Sequence, residues 1–516
     1  MTKLMIINNI LDKIHPFESS AVLLGAAFFS IFFGMSRKKP LKVFLIIVSS
    51  CAFAYAFFLN IQTYILTGNF SNYLFNYNFL QMLQISIILF ISLNILIFIS
   101  VSNIEKDYFI KIILIFIFTV FCASLFIISN NFLMVFTSLA IFITCMFQLV
   151  TLLNRNGNIG NIDEYTIHNN LIRYFLVSVF SLLLILAGFS LIFGSTDFKS
   201  FSQILESEKI NSTLFKAGVF IIFSSIYFYL FIFPFQSAYI RLTKRCEVSS
   251  ALVIWFLYFP SGLFLFLKLR GLLLYFIEKN NFYLTISFLT IAFLLAAGGN
   301  IGAVKTTSIR RMLAFLFLSS LSITALAVAN YSLGVINDQR MDWLIFFNLS
   351  LTGLCYFPIF AVFSEIERKS GFNSIGEING FARKNKFAGI NLIFLLLSLA
   401  GLIGTGGYLL RFFIMKPFVD YFREVPGQHS GSHNVILTVL AAITAVFAFS
   451  FLAANIIKLI VIMFKKSDLK VLNFSKFHLA YVTFYSVFIL FLGIIGLMEI
   501  LNINVNFFNF KITAFF

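Results

Sequence analysis

Apolar runs of about 18 to 35 residues recur fourteen times along the chain, each long enough to cross a hydrocarbon core of about 30 Å. They lie near 19–36, 41–66, 79–103, 108–129, 131–154, 171–194, 212–240, 248–268, 281–304, 310–334, 342–364, 387–421, 434–464 and 477–501. No water reaches the backbone inside lipid, so a segment of this length satisfies its own N–H and C=O groups only as a helix. The expected fold class is therefore an all-α polytopic membrane protein with about 14 transmembrane helices. Composition agrees: 60% of residues are hydrophobic, 11% are charged, and 73 are Phe. A soluble catalytic domain carries about a quarter of its residues as charges, so soluble chemistry is excluded.

The formal net charge of +17 then needs a topological rather than a nucleic-acid explanation. Lys and Arg in odd-numbered connections outnumber those at the termini and in even-numbered connections by two to one. The positive-inside rule places the odd connections in the cytoplasm or matrix and both termini opposite. The first run is expected to be a retained span, because Arg37, Lys38, Lys39 and Lys42 follow it instead of a small-residue cleavage site. The five cysteines, at 51, 122, 145, 246 and 355, form no metal-ligand spacing, and no histidine pair sits inside the spans to hold a haem. No phosphate-binding Gly-Lys-Ser/Thr loop occurs. Neither metal nor redox cofactor is expected in this chain.

Polar linkers at 155–170 and 365–386 follow the fifth and eleventh spans. Two spans carry helix breakers: the seventh at Pro234, and the twelfth at Gly404, Thr405, Gly406 and Gly407. Spans 4–8 and 9–13 form two groups of five, each with its fourth helix broken. An odd number of spans inverts the second group relative to the first, and paired broken helices in inverted repeats point to a transport site near the midplane. The plainer alternative is that glycines let helices pack closely. The expected organisation is N-terminal helices 1–3 over 1–107, a first antiporter-like repeat of helices 4–8 over 108–280, a second inverted repeat of helices 9–13 over 281–465, and a C-terminal helix 14 over 466–516.

Several short motifs occur in an order that resembles the antiporter-like subunits of respiratory complex I. Ser398-Leu399-Ala400-Gly401, Thr405, Gly407-Tyr408 and Arg411-Phe412 resemble that family's SLAGxPPTxGFxxKF signature. Gly380-Phe381-Ala382-Arg383-Lys384-Asn385 resembles its GLARRNP linker. Asn300-Ile301-Gly302-Ala303 with Arg310-Arg311-Met312-Leu313-Ala314-Phe315 is similar to GNxxAL…KRLLAYSS. Arg173-Tyr174-Phe175 with Phe193-Gly194-Ser195-Thr196 is similar to KYFxxG…YGxTG, and Pro234-Phe235-Gln236 stands where the family has Pro-Phe-His. The order spans roughly 105–465. With fourteen spans, it looks most like a divergent N-type subunit, called chain 2 in mitochondria, of NADH–ubiquinone oxidoreductase.

The resemblance implies a midplane chain of ionisable groups: a glutamate on the fifth span, lysines on the seventh and eighth, and a lysine or glutamate on the twelfth. Such groups trade protons because burial and mutual attraction tune their charge states. Here the glutamate aligns with Ala140, and no acid occurs between Asp107 and Asp163. The seventh-span lysine aligns with Tyr229, the eighth falls near Tyr258 to Ser261, and the stretches 217–240 and 248–267 hold no charge. The remaining proton-path candidates are Arg411, Tyr229, Ser319 and Ser320, the serines lying near a family histidine. Hydroxyls pass protons along water but do not hold charge near neutral pH. Arginine stays charged and sets a field without titrating.

Arg411 is read either as a residual functional cation or as a structural tie. Lys268, Lys216 and Arg173, near span ends, are read as interfacial anchors. The resemblance implies a membrane-arm subunit that supports proton translocation coupled to electron transfer, its own path weakened or lost. NADH, FMN, iron–sulfur clusters and quinone would lie on partner subunits, and the partners would be other membrane-arm subunits and lipids. The expected location is an energy-coupling inner membrane, mitochondrial favoured over bacterial; excess Phe with scarce Pro suggests an AT-rich coding sequence, which fits a mitochondrial genome or a reduced bacterium. A multi-subunit cation/proton antiporter subunit and a membrane scaffold are the alternatives.

Overall fold

The computed structural model describes residues 18–34, 41–71, 75–101, 106–155, 164–196, 200–201, 213–232, 235–277, 282–334, 336, 338–370, 374–424, 432–465, 474 and 476–500. These are helical almost throughout. Eleven described helices are long and apolar enough to cross a membrane, and three further apolar helices, Glu18–Ser30, Thr213–Tyr229 and Lys386–Ala400, are shorter. Two of the short ones are the leading halves of the seventh and twelfth expected spans, so each break divides a span. The protein is an integral, multi-pass membrane protein. It divides into two compact units, Met1–Glu278 and Lys279–Phe516.

The first unit begins with α1 (Glu18–Gly34), α2 (Leu41–Thr67), α3 (Phe79–Val101), α4 (Lys106–Ile128), α5 (Phe132–Arg155) and α6 (Glu164–Thr196). Helices α7 (Thr213–Tyr229) and α8 (Gln236–Arg245) follow. The last element is α9 (Val248–Val253), which runs through a π-helical turn at Ile254–Tyr258 into α10 (Phe259–Ile277). A two-residue hairpin, β1 (Phe70–Ser71) with β2 (Asn76–Tyr77), joins α2 to α3. It is anchored by the Tyr77 hydroxyl, which donates to the Asn60 carbonyl at 2.6 Å. Asn60 in turn donates to the Met82 carbonyl and the Ser86 hydroxyl. Ser20 and Ser124 join α1 to α4 at 2.9 Å. Such bonds give polar side chains partners that lipid cannot supply.

The second unit contains α11 (Phe282–Lys305), α12 (Ile309–Ser332) and α13 (Asp338–Ser370), then the short α14 (Phe381–Lys384). Helices α15 (Lys386–Ala400), α16 (Gly406–Glu424), α17 (Ser432–Phe464) and α18 (Lys476–Ile500) complete it. Helix α12 is buried along almost its whole length. The Asn300-Ile301-Gly302-Ala303 motif explains its closest neighbour. A Cβ at Gly299 would meet the Phe315 carbonyl and the Ser319 backbone nitrogen, and one at Gly302 would meet the Phe315 ring, so α11 approaches α12 backbone to backbone. Asn300 donates to the Ala448 carbonyl at 3.4 Å and Asn455 returns a bond to the Asn300 carbonyl at 3.2 Å, fixing α17 on the same seam. Overpacking such a seam costs about 1–3 kcal/mol. Gly299→Ala is therefore expected to lower the thermal unfolding midpoint of the detergent-solubilised protein. Gly194→Ala, where an added Cβ meets open space, is expected to leave it unchanged.

Candidate functional site

Both broken helices end in the same backbone arrangement. In the first unit the Ile232 N–H returns to the Tyr227 carbonyl at 3.1 Å, and the Phe231 N–H to the Phe228 carbonyl at 3.1 Å. In the second the Leu402 N–H returns to the Leu397 carbonyl at 3.0 Å, and the Gly401 N–H to the Ser398 carbonyl at 2.9 Å. This is the Schellman closure, whose pivot takes a left-handed conformation. Gly401 adopts it at φ 78°, and Phe231 at φ 47°, the one non-glycine with positive φ among the described residues. The chain restarts identically in each unit, Phe235 N–H to Ile232 carbonyl and Thr405 N–H to Leu402 carbonyl, at 2.9 and 3.1 Å. The twelfth-span break thus starts at Gly401, ahead of Gly404, which has φ 87°. Gly406 and Gly407 form the first turn of α16. Pro234 lies outside the described residues.

A left-handed Phe costs about 1–2 kcal/mol. Burial holds Phe231 in that state. Its ring stacks on Tyr174 at 5.4 Å, and Tyr174 packs on Tyr258 at 5.2 Å. Tyr258 lies flat on Tyr229, with centroids 4.4 Å apart and planes 2° apart. The Tyr229 and Ser261 hydroxyls are 2.6 Å apart, and Tyr258 donates to Ser178 at 2.8 Å. Ser181 donates to the Ser225 carbonyl at 2.9 Å, tying α6 to α7. Tyr174, Tyr229, Tyr258 and Ser261 are fully buried, or nearly so. The positions that the resemblance assigns to the seventh- and eighth-span lysines therefore meet. They meet as stacked rings and paired hydroxyls, with no charged side chain in the cluster. The π turn at Ile254–Tyr258 delivers Tyr258 to the stack; such turns recur at functional sites.

In the second unit the Arg411 guanidinium donates to the Leu399 carbonyl at 2.6 Å, in the last turn of α15, and lies 5.3 Å over the Phe449 ring. Helix C-terminal carbonyls and an aromatic face both attract a cation. Among the described residues no carboxylate pairs with it. Gly401 has a second role here, because a Cβ there would fall on the guanidinium. Arg411 lines a small cavity of about 20 Å³ with Ser320, Asn348, Thr352, Tyr356 and Ser398. That is room for about one water molecule. Asn348 donates to the Ser320 carbonyl at 3.1 Å, while its side-chain oxygen is buried without a hydrogen-bond partner. Arg411 and Ser320 thus share a site. Ser319 faces Gly299 across the α11 seam and is not among the residues lining the cavity, and Tyr229 belongs to the first unit.

Lys268 lies at the end of the apolar span Val248–Leu269, where the sequence places it. It sits inside α10, and its ammonium donates to the Phe126 and Ile127 carbonyls, each at 2.6 Å, capping the last turn of α4. Its long stem carries the charge onto the end of a neighbouring helix, a contact that hydropathy does not register. Arg173 and Lys216 are exposed.

A family model described as NADH:quinone oxidoreductase/Mrp antiporter, TM, matches residues 129–423. Among curated relatives, NADH-quinone oxidoreductase subunit N of Pelagibacter ubique is 24% identical over 329 residues, covering 61% of this chain and 63% of that protein. NADH-ubiquinone oxidoreductase chain 2 of Rhizopus oryzae is 24% identical over 276 residues, covering 51% and 48%. The chain thus spans less than two thirds of the length of these relatives. A chain of respiratory complex I from Thermus thermophilus superposes with a TM-score of 0.68 at 15% identity over 93% of this chain and 98% of that one. A chain of the Mrp complex from Dietzia sp. gives 0.74 at 13% identity over 94% and 95%. These likenesses show the fold.

Two substitutions test the site's construction. Gly401→Ala strains a left-handed backbone and displaces the guanidinium, so a loss of about 1–3 kcal/mol is expected. Lys268→Leu leaves two helix-end carbonyls without their donor, at about 1–3 kcal/mol. Each should lower the thermal midpoint in detergent, whereas Lys216→Leu, on an exposed position, should not.

Proposed function

Because this chain belongs to the NADH:quinone oxidoreductase/Mrp antiporter transmembrane family, we propose that it is a membrane-arm subunit of an NADH–quinone oxidoreductase. In that assembly it supports proton translocation coupled to electron transfer, while the first unit has lost its own titrating path. The curated relatives named as subunit N or chain 2 support the assignment. The observation that carries the loss is the Tyr229–Tyr258 stack with its Ser261 and Ser178 hydroxyls, standing where a relay needs groups that hold charge. Arg411 supplies a fixed positive field beside a cavity that admits water, without releasing its own proton. Redox chemistry is assigned to partner subunits that bind NADH, FMN, iron–sulfur clusters and quinone. The membrane is an energy-coupling inner membrane, mitochondrial or bacterial: the phenylalanine-rich, proline-poor composition fits an AT-rich mitochondrial genome or a reduced bacterium, and relatives of both kinds match.

A second reading, a subunit of a multi-subunit cation/proton antiporter, is favoured by the likeness to the Mrp complex chain. Purification decides between them: the first reading expects the chain to co-purify with NADH-oxidising subunits, the second with an assembly that exchanges cations for protons in vesicles without NADH. In the intact complex, Tyr229→Phe is expected to leave NADH-driven pumping near the parental rate, because Ser261 keeps its bond to the Tyr258 carbonyl. Arg411→Leu is expected to reduce pumping per NADH oxidised with assembly retained. Pumping abolished by Tyr229→Phe in an assembled complex would restore a proton path through the first unit.

A further inference from the structure

Helices α15 and α18 lie side by side and run in the same direction. Asn391 donates to Thr483 at 3.2 Å and accepts from Ser486 at 2.7 Å, Phe387 lies beside Leu479 and Phe484, and further along Gly493 abuts Gly404 and Thr405. Their N-termini, at Lys386 and Lys476, therefore share one end of the unit. Between the helices runs an apolar groove of about 640 Å³, walled by Phe387, Ala480, Phe484, Val487, Phe488 and Phe491. Phe387, Phe484, Val487 and Phe491 are each more than half exposed.

The charges at the groove's end identify its occupant. Arg383, Lys384, Lys386 and Lys476 are exposed, and their side chains make no hydrogen bond or ion pair among the described residues. Three acids among the described residues of this unit are engaged. Glu365 is held by Lys369 at 2.8 Å, Glu367 by Arg310 at 2.6 Å, and Glu377 accepts the Ser374 N–H at 2.9 Å. Lys476 precedes Leu479 and Ala480 by three and four residues, which sets it one turn above the groove on the same helix face. From Leu479 to Phe491 the groove runs about 18 Å at 1.5 Å per residue, close to the roughly 15 Å of one leaflet. A docking helix would call for small residues along the seam. Bulky rings line it instead.

We propose that this groove binds an anionic glycerophospholipid, one acyl chain lying along α18 from Leu479 to Phe491 and the phosphate held between Lys386 and Lys476. Arg383 and Lys384 supply the surrounding positive field. Two parallel helix N-termini at the same end add their dipoles to it. The lipid would cover an apolar face and neutralise cations that have no partner among the described residues.

The test uses the chain in its native complex, equilibrated with vesicles of equal parts phosphatidylcholine and phosphatidylglycerol and then analysed for retained lipid by native mass spectrometry. Phosphatidylglycerol is expected to be retained over phosphatidylcholine. Lys386→Gln and Lys476→Gln are expected to weaken that preference by roughly fivefold for each cation removed. Ala480→Trp, which fills the groove, is expected to displace both lipids. A photo-crosslinking side chain at Phe484, in an otherwise unchanged protein, should form a lipid adduct. Equal retention of the two lipids, retention unaltered by all three substitutions, or a polypeptide adduct at Phe484 would overturn the proposal.

Discussion

Every backbone N–H and C=O inside the membrane needs a partner from the protein, and this requirement shapes each feature that distinguishes the chain. Continuous spans meet it internally. The two broken helices meet it by curling their last carbonyls back onto their own N–H groups, through Phe231 in one unit and Gly401 in the other. What the backbone leaves open, cations close. Lys268 caps α4, Arg411 caps α15, and Lys458 reaches the Val304 carbonyl in the last turn of α11 at 3.3 Å. A cation at a helix C-terminus is stabilised by the carbonyl dipoles, and none of the three is paired with a carboxylate among the described residues.

That common solution leads to different interiors. In the first unit the pivot is a phenylalanine, so the break is packed with rings: Phe231 on Tyr174, Tyr174 on Tyr258, Tyr258 on Tyr229. In the second the pivot is a glycine, and the space it leaves admits a guanidinium and a small polar cavity. The strain of a left-handed Phe, about 1–2 kcal/mol, is outweighed by about 3–5 kcal/mol for removing so large a buried ring. Aromatic packing, once established, therefore locks the first unit's break shut. On the proposed reading, this difference separates a unit that serves as scaffold from one that shapes the electrostatic field.

Much of this was legible in the sequence. Hydrophobic run length located the helices, and the motif order aligned Tyr229 and the Tyr258–Ser261 segment with the family's two lysine positions, which the structure brings together. The misses have physical causes. Gly401 lay outside the expected break because backbone closure begins at the left-handed pivot, three residues before the Gly404–Gly407 run. Ser319 and Ser320 could not be separated, since neighbours on a helix differ by about 100° in direction and only packing fixes which faces Arg411. Lys268 stands at a span end as expected, but its carbonyl partners were not foreseen, because hydropathy registers position along the membrane normal and is blind to which neighbour a flexible side chain reaches. The π turn has no composition signature at all.

On the proposed reading, the stacked, buried tyrosines close the middle of the first unit to water. Radiolytic hydroxyl footprinting of the membrane-embedded complex, read by mass spectrometry at single residues, tests it most directly, because buried side chains are oxidised only where water lies beside them. The account predicts that Tyr174, Tyr229 and Tyr258 stay unmodified at doses that label tyrosines at the membrane surface. Labelling of Tyr229 and Tyr258 at comparable rates would reveal a hydrated channel where a dry core is claimed.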